Sequence, residues 1–176
     1  MKKFRILACT LLVTGFGLTS CSSDDDNGDV NNDVEIAGTY NLTSVITAEP
    51  TDFNDDGSSN ENQMEESDCY NNSRIVLNSD NSFEYQKNTI IVNEDDGTSG
   101  CTEGSFGGTW ELLSSSGSDA IIRATYENNN GNDVTINLVK EGNIITFTDA
   151  FASYPDRDDN GGAVYVIGTV EYVFVK

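Results

Sequence analysis

The sequence predicts an antiparallel all-β domain, and three observations carry that expectation. From residue 36 onward short runs alternate apolar with polar residues; each run is bounded by Asn, Asp, Gly or Ser; and this part of the chain holds both of the protein's 2 prolines and no long helical period. Strands are expected at 38–47, 73–78, 82–93 as one run or with a break inside it, 106–114, 119–126, 133–140, 143–149 and 163–175.

Taken in order, one parity of each strand is apolar or small. It reads Tyr40 and Leu42; Ile75 and Leu77; Phe83 and Tyr85; Trp110 and Leu112; Ala120, Ile122, Ala124 and Tyr126; Val134, Ile136 and Leu138; Ile145 and Phe147. The last strand adds Val164, Val166, Gly168, Val170, Tyr172 and Phe174. The alternate positions include Asn41, Thr43, Arg74, Glu84, Glu111, Arg123, Asn137 and Glu171, so one face is expected dry and the other wet. The connections are short: NSDNS at 78–82, ENNNGND at 127–133 and KEGN at 140–143 all carry residues that tolerate positive φ. Tight hairpins between successive strands favour an up-and-down sheet closed into a barrel, which removes exposed edges. A β-sandwich is the alternative, and it would need longer crossovers.

Ahead of this domain stand two other segments. Residues 1–20 place Lys2, Lys3 and Arg5 before an apolar run from Ile6 to Leu18 with no acidic residue, the pattern of a secretory leader and too short for a spanning helix. The closing Leu18-Thr19-Ser20-Cys21 resembles the lipobox of bacterial lipoproteins. That resemblance implies lipidation of Cys21 and a membrane anchor, since acyl chains hold in proportion to their buried methylenes. Residues 21–33 are acidic and polar, with Val30 the lone hydrophobic side chain after Cys21, and cannot bury enough surface to fold; a tether is expected. Ser22, Ser23 and Asp24 to Asp26 also resemble the surface-export signals of Gram-negative lipoproteins, implying an outer-membrane, cell-surface location. The domain is then 34–176, and a monomer is expected.

The formal net charge of −21 excludes nucleic acid as a partner, because phosphate binding needs cations that release counterions. Of the four cysteines, Cys9 leaves with the leader and Cys21 takes the lipid. Cys69 and Cys101 remain, and an isolated pair outside the cytoplasm is expected to form a disulfide.

Gly38-Thr39-Tyr40 and Gly108-Thr109-Trp110 each resemble the Gly-x-Trp strand opening of lipocalin-type barrels. The order GTY, acidic loop, DCY, NSFEY, Cys, GTWEL is similar to the lipocalin-like domain of bacterial lipoproteins, with Tyr40 standing where tryptophan is common. The resemblance covers about 38–175. It implies a barrel that holds a small apolar ligand, with Tyr40, Leu42, Trp110, Ala124, Phe147 and Gly168 lining the cavity.

DFNDDGSSNENQ, from Asp52 to Gln63, matches the oxygen-rich loop that wraps calcium. Asp52, Asn54 and Asp56 fill the first ligand positions, Gly57 the turn, Ser58 a carbonyl position and Asn60 the ninth. Gln63 stands where a bidentate Glu belongs, unless Glu61, Glu65 or Glu66 folds back, and no helical pattern flanks the loop. A structural calcium ion and a solvated acidic turn both remain open here. Asp156, Asp158, Asn160 and Gly161 repeat the pattern more weakly, as a second metal site or as a hairpin turn.

Catalysis is not expected: there is no histidine, no free cysteine once the pair forms, no nucleophile elbow and no phosphate loop. Two functional classes are left. The barrel holds a small apolar ligand, or it is filled and serves as a surface module whose loops contact a protein or a glycan. A void of several hundred Å³, within the range of about 300 to 1,000 Å³ for ligand pockets, would favour the first.

Overall fold

The computed structural model describes residues 35–176; the leader, Cys21 and the acidic tether lie outside the described residues. Nine strands form there: β1 (Gly38–Thr51), β2 (Asn60–Asn62), β3 (Arg74–Leu77), β4 (Ser82–Asn93), β5 (Thr98–Ser116), β6 (Asp119–Glu127), β7 (Asp133–Glu141), β8 (Ile144–Arg157) and β9 (Ala163–Val175). A one-turn helix α1 (Gln63–Glu66) and a 3-10 turn at Asp68–Tyr70 stand between β2 and β3.

From β3 to β9 each strand pairs with the next, and β1 pairs with β3 on one edge and with β9 on the other. Eight strands therefore close into an antiparallel up-and-down barrel, and the sandwich alternative falls away. β2 pairs only with the far half of β1, through Ile46↔Asn62 and Thr51↔Asn60, as a flap beside the barrel.

The strand boundaries correct the sequence reading in three places. β1 runs on to Thr51 because β2 gives its outer half a partner. β5 begins at Thr98, not at 106: its Gly- and Ser-rich start has little β propensity of its own, but it is held by an unbroken ladder to β4 from Asn93↔Thr98 to Ser82↔Thr109. β8 continues to Arg157 across a bulge between Asp149 and Ala152, which shifts the parity and hides the strand from any test of alternation. The break allowed for within 82–93 is absent from the ladder; what changes is the buried face. Phe83 and Tyr85 are buried on one side, Asn88, Ile90 and Val92 on the other. β3 stops at the pair Arg74↔Gln86, and beyond it the second face of β4 is covered instead by Tyr70 and Tyr165.

Two apolar clusters result. The first is the barrel interior, where the buried Tyr40, Ile75, Leu77, Phe83, Ile122, Leu138, Ile145 and Phe174 follow the predicted inner parity. Its centre is aromatic: the Tyr85 ring has Phe106, Tyr126, Phe147 and Phe174 with centroids at 6.3, 6.2, 6.2 and 6.2 Å. The second gathers Val45, Phe53, Tyr70, Ile90, Val92, Ala152, Tyr154, Ala163 and Val170, so the segment after β1 folds back as part of the core. Leu112 departs from the expected inner row. It is 45 % exposed beside a bulge between Leu112 and Ser114, where β5 outruns its neighbours.

The two Gly-Thr-aromatic motifs have structural reasons. A Cβ on Gly108 would collide with the Thr125 carbonyl oxygen, so the close approach of β6 admits no side chain. Trp110 then donates its backbone N–H to the Asn81 carbonyl at 2.9 Å and its Nε1–H to the Asn78 carbonyl at 3.0 Å, fastening the β3–β4 turn. In the first motif, the Tyr40 hydroxyl donates to the Ile36 carbonyl at 2.7 Å and caps the strand's entry.

Gly108→Ala is expected to destabilise the domain by more than about 3 kcal/mol, read by urea denaturation, because the backbone of two paired strands must separate. The Cys69–Cys101 disulfide forms as predicted, 32 residues apart in sequence, and links the 3-10 turn to β5. A Cys69→Ser, Cys101→Ser double variant is expected to lose roughly 3 kcal/mol on the chain-entropy account, measured the same way under non-reducing conditions.

Candidate functional site

The acidic loop folds on itself. Asp52 accepts N–H bonds from Asp56 and Gly57, each at 3.0 Å, Asn54 accepts from Asp56 at 3.0 Å, and Asp56 accepts from Ser58 at 2.8 Å. These are the turns that Asp and Asn side chains make with the backbone two or more residues on. Glu66 does fold back: it is buried, and its carboxylate accepts the Asn54 N–H at 3.2 Å. It reaches the loop because α1 follows directly, a helical turn the sequence pattern did not show. Gln63, at the twelfth position, is fully buried and donates to the Thr51 hydroxyl at 2.6 Å. Among the described residues no three acidic side chains are grouped to hold a metal ion. Asn60 opens β2 and accepts from the Asn62 N–H at 2.9 Å.

Asp158, Asn160 and Gly161 form the β8–β9 hairpin turn. Asp158 accepts from the N–H groups of Asn160 and Gly162 at 2.8 and 2.9 Å, while Asp156 lies within β8 opposite Val164.

The six residues expected to line a cavity are packed to differing degrees, and Phe147 also borders a slot in the barrel wall. Tyr40 and Ala124 are fully buried, and Leu42 and Trp110 pack partly exposed against the core. Phe147 stacks on Tyr172 with centroids 4.7 Å apart. At Gly168 an added Cβ would meet the Tyr154 ring at 3.0 Å, so the room left by the missing side chain is taken by an aromatic neighbour.

The opening in the barrel lies in its wall. β6 and β7 pair from Ala120↔Lys140 to Glu127↔Asp133, whereas β7 and β8 pair only through Val139↔Thr146, Lys140↔Ile145 and Glu141↔Ile144. Beyond these three the edges part, leaving a slot of about 370 Å³. Val134, Thr135, Ile136 and Asn137 form one edge, Phe147, Thr148, Asp149 and Ala150 the other, with Lys87 and Tyr126 reaching in from β4 and β6. A second cavity of about 200 Å³, lined by Thr89, Thr102, Glu103, Gly104, Phe106 and Asn129, also ends on Lys87.

Two lysines occupy inner-parity positions, and they differ in kind. Lys140 is buried with its ammonium donating to the carbonyls of Ser118 and Gly142, which closes one end of the barrel. The Lys87 ammonium makes no hydrogen bond or ion pair with any described residue. Burial pushes its ammonium below the ordinary value, and the Asp149 carboxylate acts in the opposite direction. Asp149 also lifts the phenols of Tyr126 and Tyr172 as the lesser cause after burial, so its field reaches into the slot; Tyr172 is pushed up to about 12. A cation and an anion thus border one opening without forming an ion pair within 4 Å.

Sequence reasoning passed over Lys87 and Asp149. The signal was present for both, each a charged residue on the dry parity: Lys87 continues the row Phe83, Tyr85, and Asp149 the row Ile145, Phe147 just before the bulge. No family model, no curated protein and no solved structure matches the chain.

Lys87→Met is expected to stabilise the domain at neutral pH by about 1 kcal/mol, since it removes an unpaired cation from a desolvated position. The charged form is what the fold disfavours, so the advantage is full well below the lysine range and shrinks as pH rises toward 10.5, where the unfolded chain also loses the proton. Thermal melts of both proteins at pH 7 and above pH 10 give the comparison.

Proposed function

We propose that the protein is a lipid-anchored, non-catalytic binding module of the bacterial cell surface, whose barrel is a filled scaffold and whose partners meet its walls and loops. The observation that carries this reading is the aromatic centre around Tyr85, which occupies the interior where the lipocalin resemblance would place an apolar ligand. A filled barrel leaves the exterior to do the binding. The anchor rests on Cys21 following a basic, apolar leader, and surface exposure on the acidic residues after it. An apolar ligand within the barrel is the second reading, and the similarity of the GTY and GTW motifs to lipocalin strand openings favours it.

Calcium at Asp52, Asn54, Asp56, Ser58 and Asn60 belongs to this proposal as an added brace. The loop's own N–H groups already engage the side-chain oxygens, so the fold is not expected to depend on the ion.

Palmitate labelling of the full chain in a Gram-negative host, with Cys21→Ser as the control, reads the anchor; equal label in both sinks it. Native mass spectrometry of the purified protein, with calcium and after EDTA, reads the rest. The expected spectrum shows no retained lipid-sized mass and an unchanged fold after EDTA. A stoichiometric apolar mass would overturn the filled-scaffold reading in favour of the second.

A further inference from the structure

We infer that the slot where β7 and β8 part is a binding site for a short zwitterionic peptide, its carboxylate held by Lys87 and its ammonium by Asp149. The inference deepens the reading of the barrel as a filled scaffold, because it places the ligand in the wall.

Four features of the slot converge on this class. The volume, about 370 Å³, lies at the small end of ligand pockets and suits a dipeptide better than a lipid. The two charges border the same opening yet form no ion pair within 4 Å, so each has capacity for a partner of opposite sign. A ligand carrying both signs satisfies both groups and enters with no net charge, which matters on a chain of formal charge −21 that repels simple anions. Asp149 has one carboxylate oxygen on the Phe151 N–H at 3.0 Å, which fixes the side chain and leaves the other oxygen to a ligand.

The strand edges supply the remaining recognition. Glu141 and Ile144 flank the two-residue turn Gly142–Asn143, so they and the pair Val139↔Thr146 exchange backbone hydrogen bonds. Continuing that alternation aims the backbone groups of Asn137 and Thr135, and of Thr148, across the slot with no strand opposite them. Such edge groups accept an extended peptide amide, as in strand addition. Val134, Ile136 and Phe147 offer the apolar wall for its side chain.

The test uses purified full-length protein and alanyl-phenylalanine, with its N-acetylated and C-amidated forms, in calorimetric titrations. The zwitterion is expected to bind, and each capped form to bind about tenfold or more weakly, the loss of one charge-assisted hydrogen bond. Lys87→Met and Asp149→Asn should each weaken the zwitterion to a similar extent, Lys87→Arg should retain it, and Lys87→Met should discriminate less against the C-amide. Because Lys87→Met is expected to melt higher than the parent, its loss of binding does not report unfolding. Absence of binding at millimolar peptide, equal affinity for all three forms, or binding indifferent to both substitutions would each overturn the site. A co-purified apolar mass would instead count against the filled scaffold, so the two failures are distinguishable.

Discussion

The pairing of β1 with β9, from Asn41↔Val175 to Thr47↔Val170, is the constraint on which the rest depends. A meander of eight strands would otherwise expose two long edges and leave its dry face open. Closure removes the edges and fixes an interior whose size is set by the strand count. Everything on the inner parity must then fit that volume, and the buried rows mix rings with the small Ala120 and Ala124, as the taper of a small barrel requires.

Closure also forces a choice at each end. At one end Lys140 seals the barrel with its own carbonyl partners. Elsewhere β4 and β5 run on as a two-stranded ribbon past the end of β3, and β8 and β9 do the same past the bulge at Asp149–Ala152. The second apolar cluster fills between them, built on Phe53 and Tyr70 from the segment after β1, and the Cys69–Cys101 bond holds that segment to β5. The Tyr165 hydroxyl, donating to the Ile90 carbonyl at 3.3 Å and accepting from the Val92 N–H at 3.1 Å, ties β9 to the β4 ribbon. The seam between β7 and β8 is where the wall stays open, and it opens beside Lys87, whose ammonium pairs with no described residue. A cation whose charged form burial disfavours is a feature that function can retain against folding.

Much of this was legible in alternation. Ile75, Phe83, Ile122, Leu138, Ile145 and Phe174 are all fully or almost fully buried on the parity the sequence assigns them, and Glu84, Glu111, Arg123, Asn137 and Glu171 are exposed on the other. Period-2 patterning survives because each residue senses only its own side of the sheet. It failed at Leu112, in β8 and in the outer half of β4, where a bulge or a change in what lies overhead alters the face without altering the residues. The acidic loop was legible as a turn-rich segment, and Glu66 as a side chain that could fold back on it, but the burial of Gln63 and Glu66 was not, since it depends on α1 bringing both inward.

The sequence by itself determined the all-β class, the inner and outer rows, the tight turns and the cysteine pair, because each of these is a local or near-local property of side chains and backbone. Only the tertiary structure decided that the sheet closes, that four aromatic rings gather around Tyr85 inside it, that the segment after β1 is core, and that Lys87 and Asp149 face one opening. Those depend on residues from about 60 (Lys87 and Asp149) to about 130 (Asn41 and Val175) positions apart in the chain being brought together by register and bulge, and on volume, which no pattern along a single strand contains.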